Sequence, residues 1–394
     1  MKILIAHNQY QYRGGEDLVF DNEVELLNAA GHDVLPLVIS NDSIKSSIDK
    51  ILTTLRTVKN PKGMAMLSVE IEKFRPDIVH MHNFFPLFSP AAYSVCHAAK
   101  VPVLQSLHNY RPLCANGLLL RNGEICHLCV NSSTLWGIFY RCYRGSLVGS
   151  LATAGMISVH NKRKTWVTDV DHYIALSEFS RQIFIGAGFP KERITVKPNF
   201  IKDPGLGRTD GRRAGALYVG RLSEEKGLRF LLEACAKYNF PLRIAGDGPE
   251  FSLLKSRAPV GTTFLGNLPR EAVIEEMKRA AVVVMPSLCY ENCPVVVLES
   301  FACATPVIAS RFGAMTEIIE DGVTGFLVPR ADAEALGAQI RHALGKPQLL
   351  KQLGNAARRA FLDRYTPETN LKMLENIYQR VLKHFHSNEG ADLL

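Results

Sequence analysis

The sequence contains no apolar run long enough to cross a bilayer, so it predicts no membrane-spanning helix. The opening residues MKILIAHNQY become polar too early for a secretory signal peptide, and we therefore expect a cytoplasmic protein. Internal repeats and low-complexity segments are also missing, which gives no support to a repeat architecture. A composition of 47% hydrophobic and 21% charged residues is typical of a soluble globular protein. A chain of 394 residues is long enough for two or three domains.

The chain has only a small excess of charge of one sign. Its net charge is +8, and its pI is about 9.0. Such an excess suits an anionic substrate or a membrane surface. No DNA- or RNA-binding motif is visible, so we expect no nucleic-acid partner.

Strands and helices alternate along the whole chain, which is the pattern of parallel sheets with helical crossovers. A first domain is predicted at 1–200, with an irregular Cys-rich insertion at about 110–165. A Gly-, Pro- and charge-rich linker at 201–210 leads to a second domain at 211–365, and a last helix and tail occupy 366–394. The predicted strands are Lys2–Ala6, Asp33–Ile39, Asp77–Met81, Val101–Ser106, Asp171–Ala175, Ile194–Lys197, Ala216–Val219, Leu242–Ala245, Thr262–Leu265, Ala281–Met285, Pro306–Ala309 and Gly325–Val328.

The stretch Met285–Pro306, MPSLCYENCPVVVLESFACATP, places two carboxylates around the start of a helix. An apolar strand ends at Met285, and we predict a helix beginning near Pro294, where a proline loses no hydrogen bond. The free N–H groups and the positive dipole end of this helix suit an anionic ligand. Glu291 and Glu299 can accept hydrogen bonds from the hydroxyls of a sugar or a ribose. Phosphate on the amides and hydroxyls on the glutamates together describe a nucleotide-sugar.

A second anion site is predicted at Gly220–Gly227, GRLSEEKG, between a strand and a helix N-terminus. Arg221 and Lys226 add two cations there, and a departing pyrophosphate needs positive charge where its own charge grows. Gly246 lies in a tight turn, GDGPE, directly after the next strand. In the first half of the chain, the two glycines of Arg13–Glu16 let the backbone approach a ligand closely.

Polar residues also follow two buried strands of the first domain. His82 and Asn83 end one strand, and His108 and Asn109 follow the next. Ligands of open parallel sheets bind beyond the carboxyl ends of the strands. A histidine there can take or relay a proton near neutral pH, and a structural role is the alternative for both histidines.

The glutamate pair and its surroundings resemble the retaining glycosyltransferases of family 4, which have an E-x7-E motif. The match is Glu291-x7-Glu299 followed by ACATPVIA, in which Ala304 stands where the family usually has glycine. The resemblance implies the α/β GT-B fold, in which two Rossmann-like domains face each other across a cleft and a C-terminal helix crosses back to the first domain. It also implies transfer of a sugar from a UDP- or GDP-linked donor to an acceptor hydroxyl, with retained configuration and without a catalytic metal or other cofactor.

The same resemblance assigns roles to individual residues. It implies that Glu291 orients the donor sugar, Glu299 the ribose, and Arg221 and Lys226 the leaving diphosphate. The residues implied in catalysis are Glu291, His108, Arg221 and Lys226. The donor-binding residues are Gly14, Gly15, Glu16, Arg221, Lys226, Gly246, Glu291, Asn292, Cys293 and Glu299. The acceptor side comprises His82, Asn83 and Asn109, and the acceptor is a glycan or lipid-linked glycan of bacterial polysaccharide biosynthesis.

Four of the nine cysteines have the spacing C-x11-C-x2-C-x12-C. These residues are Cys114, Cys126, Cys129 and Cys142. Four thiolates can hold a structural zinc ion, which would brace an insertion that lacks regular structure. Reduced, buried thiols are an equal alternative in a cytosolic protein, and a disulfide or redox role is the third.

The segment Leu147–Trp166 consists mainly of small and apolar residues and has a basic cluster, Lys162–Lys164, near its end. It could lie on the inner membrane with its cations at the headgroups, which would suit a lipid-linked acceptor and a peripheral membrane protein. Core packing with a solvated charge cluster is equally compatible. Asp169-x-Asp171 imitates a metal-binding D-x-D motif, but Asp171 begins a predicted strand, and we assign it no metal.

Two other functions remain open at this point. One is a GT-B phosphorylase that uses inorganic phosphate. The other is a non-catalytic nucleotide-sugar-binding subunit of a polysaccharide assembly complex. Phosphate-dependent release of a sugar phosphate would identify the first, and weak nucleotide binding without turnover would identify the second.

Overall fold

The computed structural model describes residues 1–11, 13–206 and 213–391, which form two compact units. The first unit comprises Met1–Leu119, Cys126–Pro198 and the chain from Asn370 onward, and the second comprises Leu120–Ile125 and Asn199–Thr369. Residues 207–210 of the predicted linker lie outside the described residues.

The described chain contains fourteen strands and seventeen α-helices. The strands are β1 (Lys2–Gln9), β2 (Asp33–Ser40), β3 (Ile78–Asn83), β4 (Val103–Leu107), β5 (Leu120–Arg121), β6 (Glu124–Ile125), β7 (His172–Ala175), β8 (Ile194–Val196), β9 (Ala216–Val219), β10 (Leu242–Ala245), β11 (Thr262–Gly266), β12 (Val282–Met285), β13 (Val307–Ser310) and β14 (Gly325–Val328). The helices are α1 (Gly15–Ala29), α2 (Ser47–Leu55), α3 (Pro61–Phe74), α4 (Tyr93–Ala98), α5 (Leu128–Asn131), α6 (Leu135–Phe139), α7 (Leu147–Lys162), α8 (Thr165–Thr168), α9 (Glu178–Gly186), α10 (Leu228–Tyr238), α11 (Phe251–Ser256), α12 (Arg270–Arg279), α13 (Val295–Ala302), α14 (Met315–Ile318), α15 (Ala333–Leu344), α16 (Pro347–Arg364) and α17 (Pro367–Ala391).

Each unit is built on a six-stranded parallel sheet. The order in the first sheet is β2-β1-β3-β4-β7-β8, and in the second it is β11-β10-β9-β12-β13-β14. Parallel neighbours need crossover connections, which explains why helices separate the strands along the chain. Each of the twelve predicted strands overlaps one of these twelve, and the predicted α/β class is confirmed.

The strands form where the sequence is continuously apolar. Ile3–Ala6 in β1 and Val282–Val284 in β12 are completely buried, as expected for parallel strands covered on both faces. Helix α13 is apolar on nearly every side, and its buried side chains place it against the second sheet rather than at the surface.

The strand order of each sheet reverses direction at one point, which is where open α/β sheets bind ligands. In the second sheet the reversal lies between β9 and β12, so Gly220–Lys226 and Ser287–Glu291 follow adjacent strands. In the first sheet it lies between β1 and β3, next to Tyr10, Gly14–Glu16 and Asn83. The sheet topology therefore gathers the residues that the sequence singled out within each unit.

The prediction of an irregular insertion at about 110–165 was wrong in its second half, because Leu147–Lys162 forms the sixteen-residue helix α7. The helix was not predicted because the segment consists mostly of small and apolar residues without a clear polar face. Its glycines also lower the helix propensity. Burial of Met156 and Ile157 stabilises the helix, and Ser146 Oγ caps it by accepting a hydrogen bond from Gly149 N.

The last helix belongs mainly to the first unit, as the resemblance implied. Helix α17 begins in the second unit at Pro367, and from Asn370 onward it packs in the first unit. There the Asn370 amide donates to the Pro198 carbonyl oxygen at 2.7 Å, and Tyr378 is fully buried. Of the described helices, none is sufficiently long and apolar to cross a bilayer.

Candidate active site

The loops after β9 and β12 contact each other through their backbones. Gly227 has a φ of +70°, and a Cβ atom at this position would lie 2.1 Å from the Pro286 carbonyl oxygen. Leu288 N also donates to the Glu225 carbonyl oxygen at 2.8 Å. Only glycine permits both this φ and this approach, so Gly227 brings the neighbouring Lys226 onto the β12 loop.

Lys226 and Glu291 form an ion pair at this junction. Lys226 Nζ lies 2.7 Å from Glu291 Oε1, and Ser287 Oγ donates to the same oxygen at 2.7 Å. Burial by itself lowers the pKa of Lys226, but the Glu291 carboxylate outweighs it and holds this pKa above its ordinary value. Because the ammonium has three N–H donors, it can keep one on Glu291 and offer others to phosphate oxygens. The structure thus joins two residues that the sequence predicted for one ligand.

Gly246 and Arg221 belong to the same group of loops. A Cβ atom on Gly246 would lie 1.9 Å from the Gly220 carbonyl oxygen, so the loops after β9 and β10 also touch through glycine. The Arg221 carbonyl oxygen accepts a hydrogen bond from Tyr218 Oη at 2.9 Å, while the Arg221 side chain is exposed. The backbone at Arg221 is therefore fixed, and its guanidinium faces solvent.

Glu299 is more enclosed than Glu291. Its side chain is 6% exposed, and its Oε1 lies 3.2 Å from Arg270 Nε. Burial raises the pKa of Glu299 to about 7, although Arg270 opposes this shift. Asn292 and Cys293 are buried in the loop before α13, where the Cys293 carbonyl oxygen accepts a hydrogen bond from Asn199 at 2.7 Å.

In the first unit, Glu16 lies beside Asn109. The Tyr10 hydroxyl donates to Glu16 Oε2 at 2.8 Å, and the Asn109 amide lies 3.3 Å from the same oxygen. Burial raises the pKa of Glu16 to about 7, opposed mainly by His7. Gly14 and Gly15 are exposed at the start of α1. The structure thus joins two residues that the resemblance placed on the donor and acceptor sides.

His82 and His108 pair at the ends of β3 and β4. Their rings stack with centroids 5.1 Å apart, and His108 Nε2 lies 3.0 Å from His82 Nδ1. Both line a small recess together with Asn83, Asn109 and Arg111. Burial lowers the pKa of both histidines, which favours their neutral forms.

Two family models match consecutive parts of the chain. The model described as glycosyltransferase family 4 matches residues 14–203, and the model described as glycosyl transferases group 1 matches residues 207–360. The chain belongs to glycosyltransferase family 4.

A relative shares the glycosyltransferase description, and solved structures share the fold. A protein of Methanocaldococcus jannaschii described as a glycosyltransferase is 26% identical over 327 residues, covering 81% of this chain and 78% of that protein. Sucrose-phosphate synthase from Thermosynechococcus elongatus matches the fold with a TM-score of 0.73 and 18% identity over 97% of this chain and 99% of that one. HepE of Anabaena, solved with UDP-glucose, matches with a TM-score of 0.67 and 18% identity over 98% and 100% of the two chains. The GT-B fold of this glycosyltransferase is therefore confirmed.

A buried ion pair close to the histidines of this glycosyltransferase could not be recognised from the motifs in the sequence. Lys197 Nζ lies 2.5 Å from Glu23 Oε1, and both side chains are 1% exposed. Glu23 is four residues from Val19 and from Leu27, which are buried on the same face of α1. A carboxylate in the middle of an apolar helix face was the signal that could have identified it.

Glu23, His80 and His82 have the composition of a metal site. Each of the three residues offers one possible ligand atom, and these three atoms lie within 4.8 Å of one another. However, the Lys197 ammonium already neutralises Glu23, and both ring nitrogens of His80 face hydroxyls, of Tyr378 at 2.9 Å and Ser106 at 2.8 Å. We therefore assign no metal to this group.

The four spaced cysteines lie in one region, but they do not form a preformed metal site. The pKa of Cys129 is raised to about 12, mainly by burial and then by the neighbouring thiols of Cys114, Cys142 and Cys126. None of the four forms a disulfide, and within the described part of the chain no three of them bring their sulfur atoms within 4.8 Å of one another. Zinc would need a local rearrangement, so the zinc and reduced-thiol hypotheses both stay predictions.

Proposed function

We propose that this protein transfers a sugar from a nucleotide-sugar to an acceptor hydroxyl with retention of the anomeric configuration. The observation that carries this proposal is the Lys226–Glu291 pair at the strand reversal of the second sheet. A cation lies here beside a carboxylate that can accept hydrogen bonds from hydroxyls, at the ends of β9 and β12. This arrangement suits a ligand that has both a diphosphate and a sugar.

Each residue of the second unit has a role that follows from its chemistry. Lys226 and Arg221 would donate hydrogen bonds to the diphosphate, whose charge grows as the sugar leaves. Glu291 would accept hydrogen bonds from the hydroxyls of the donor sugar. Glu299, which Arg270 holds in place, would accept those of the ribose. None of these steps requires a metal ion.

The first unit would supply the glycine turn and the acceptor side. Gly14 and Gly15 leave the α1 N-terminus open to a donor phosphate, with Glu16 beside it. His108 would shape the reacting face, and His82, Asn83 and Asn109 would contact the acceptor. HepE was solved with UDP-glucose, which makes UDP-sugars the first donors to test, with GDP-sugars second.

Thermal unfolding with UDP, GDP, ADP and CMP, with and without a chelator, tests this proposal. A ligand at about 100 times its Kd stabilises the folded state by roughly 2.7 kcal/mol, so one nucleotide should raise the Tm selectively. The matching nucleotide-sugars are then assayed for release of the nucleoside diphosphate. A shift without turnover would favour a binding subunit, and phosphate-dependent release of a sugar phosphate would favour a phosphorylase. A chelator that lowers the Tm without nucleotide would indicate zinc at the cysteines.

We further propose that the first unit docks on an anionic membrane, which suits a lipid-linked glycan acceptor. Helix α7 contacts both α2 and α6, and the three helices expose large apolar side chains. We define the apolar patch by six side chains that are each more than half exposed: Ile48, Ile51, Leu55, Leu135, Phe139 and Leu147. Exposed Arg141 and Arg144 lie between α6 and α7, where they could meet phosphate headgroups.

The patch differs from the segment that the sequence suggested. Only the first turns of α7 expose apolar side chains, whereas Met156 and Ile157 are completely buried. Sedimentation with vesicles of phosphatidylethanolamine and phosphatidylglycerol should carry down the wild type but not Leu55→Glu/Phe139→Glu. The matched control is Val260→Glu, which changes a side chain of the second unit that is 95% exposed. Failure of the wild type to bind these vesicles would overturn the docking proposal.

A further inference from the structure

A row of polar side chains runs through the first unit from Lys197 to His108. The buried Lys197 ammonium lies 2.5 Å from Glu23 Oε1 and 3.1 Å from the Asn370 side-chain oxygen. The second carboxylate oxygen, Glu23 Oε2, lies 3.3 Å from His82 Nε2. His82 Nδ1 lies 3.0 Å from His108 Nε2. We call Lys197, Glu23, His82 and His108 the relay.

The charge of Glu23 determines the direction of hydrogen bonding along the relay. Burial alone would raise the pKa of Glu23, but Lys197 and then His82 outweigh it and hold this pKa well below its ordinary value. Glu23 Oε2 and His82 Nε2 are 3.3 Å apart, and a ring lone pair that faced the ionised carboxylate at this distance would be repelled, so the proton of neutral His82 lies on Nε2. His82 Nδ1 is then an acceptor, and His108 must donate to it from Nε2. Each step follows from the state of the previous group.

We propose that Glu23, anchored by Lys197, is a positioning residue that fixes His108 in the neutral tautomer protonated at Nε2, acting through His82. The basic atom of His108 is then Nδ1, and the ring orientation is set by the stacked His82. His108 is half-buried at the recess, whereas the other three members are buried, so the relay leads from the core to the proposed acceptor side. The inference rests on the proposed function only for what His108 does to substrates.

A purely structural ion pair would make a different prediction. Lys197 and Glu23 would then only tie α1 to the chain after β8 and, through Asn370, to α17. In that case the tautomer of His108 would not depend on the charge of Glu23. The tautomer is therefore the readout that separates positioning from structural support.

The test is nitrogen NMR of the full chain with ¹⁵N-labelled histidine, which distinguishes a protonated from an unprotonated ring nitrogen. Resonances are assigned with His82→Gln and His108→Gln. In the wild type we expect protons on Nε2 of both histidines. In Glu23→Gln, Lys197 should attract the amide oxygen, so the NH2 group faces His82 Nε2. His82 must then carry its proton on Nδ1 and donate to His108, which inverts both tautomers.

A second variant reaches the same result by different chemistry. In Lys197→Met the buried Glu23 carboxyl loses its cation and takes up a proton, which it can donate to His82 Nε2. Both tautomers should again invert. Glu25→Gln, an exposed change on the same helix, is the matched control and should leave them as in the wild type.

The outcomes separate this inference from the proposed function. A wild-type His108 protonated at Nδ1, or unchanged tautomers in a folded Glu23→Gln or Lys197→Met variant, would overturn the relay. Inversion supports it whether or not the wild type transfers sugar. If the transferase is confirmed, Glu23→Gln should lower kcat with little change in the KM for the donor, because the donor contacts of the second unit are untouched.

Discussion

Lys226 Nζ and Glu291 Oε1 lie 2.7 Å apart, although 65 residues separate them in the chain. At the strand reversal of the second sheet, the pair combines an ammonium that can donate hydrogen bonds to phosphate with a carboxylate that can accept them from hydroxyls. In the proposed function, one bound nucleotide-sugar would engage both groups.

Lys226→Ala should reduce kcat/KM for the nucleotide-sugar by about 10²- to 10³-fold while the fold stays intact. Removing one preorganised donor from a site of developing charge has a cost of this size. Steady-state kinetics and circular dichroism give the two readings. Lys237→Ala is the control, because Lys237 pairs with Glu334 at an exposed position of the same unit. Near-normal turnover in Lys226→Ala would refute the role of this lysine.

Gly227→Ala should weaken nucleotide binding and destabilise the second unit. A methyl group there would meet the Pro286 carbonyl oxygen at 2.1 Å, so the β9 and β12 loops must separate. Gly266→Ala is a matched control, since Gly266 has the same φ of +70° but no atom within 4 Å of the position that its Cβ would occupy. Both changes bear the cost of positive φ, about 1–2 kcal/mol. Only Gly227→Ala should also lose the UDP-induced rise in Tm, and equal behaviour of the two variants would contradict this explanation.

The sequence could predict the sheets and the proximity of Lys226 to Glu291 because their signals are local. Each strand is a short apolar run, and Lys226 and Glu291 lie in the segments that follow two such runs. Parallel topology then places both residues at one edge without further information. Helix α7 was not predicted, because its sequence does not divide into an apolar and a polar face. Which of its side chains are buried depends on the packing of its neighbours.

The relay could not be predicted, because its partners are chosen by tertiary packing. Glu23 and Lys197 are 174 residues apart, and Lys197 stood at the end of a predicted strand without any indication of a partner. His82 and His108 were recognised individually, but neither residue type nor spacing reveals their 3.0 Å contact. Burial of a charge is visible in a sequence, whereas the identity of the group that neutralises it is not.

Lys197→Met should destabilise the first unit by about 3–5 kcal/mol at neutral pH, because the buried Glu23 loses its cation and has to take up a proton from neutral solution. Glu23→Gln/Lys197→Met removes both charges and should recover part of this loss. Since the pKa of Glu23 is depressed in the folded state, the contribution of the pair is complete above the unfolded value of 4.5 and is lost as the pH falls below it. Thermal unfolding at pH 7 measures both variants. A double variant as unstable as the sum of its single variants would show that the two charges do not interact.

Glu299→Gln should become more stable relative to the wild type as the pH rises from 5 to 8. Burial raises the pKa of Glu299 from 4.5 to about 7, against the opposing charge of Arg270. Between these values the folded wild type holds a proton that the unfolded chain has released, so its stability falls as the pH rises. Glutamine does not titrate, and the difference should grow by about 2–3 kcal/mol, since one pKa unit corresponds to 1.36 kcal/mol.

The measurement for Glu299→Gln is the difference in Tm between variant and wild type at pH 5, 6, 7 and 8. At pH 5 the variant should be no more stable than the wild type, because a protonated Glu299 and a glutamine each offer one carbonyl oxygen to Arg270, whose Nε lies 3.2 Å from Glu299 Oε1. Above pH 7 the change should amount to several degrees for a unit of this size. Glu271→Gln, an exposed change on α12, is the control for the loss of one carboxyl group. A flat difference for Glu299→Gln would mean that this buried glutamate is ionised throughout, and that Arg270 stabilises its charge more strongly than burial disfavours it.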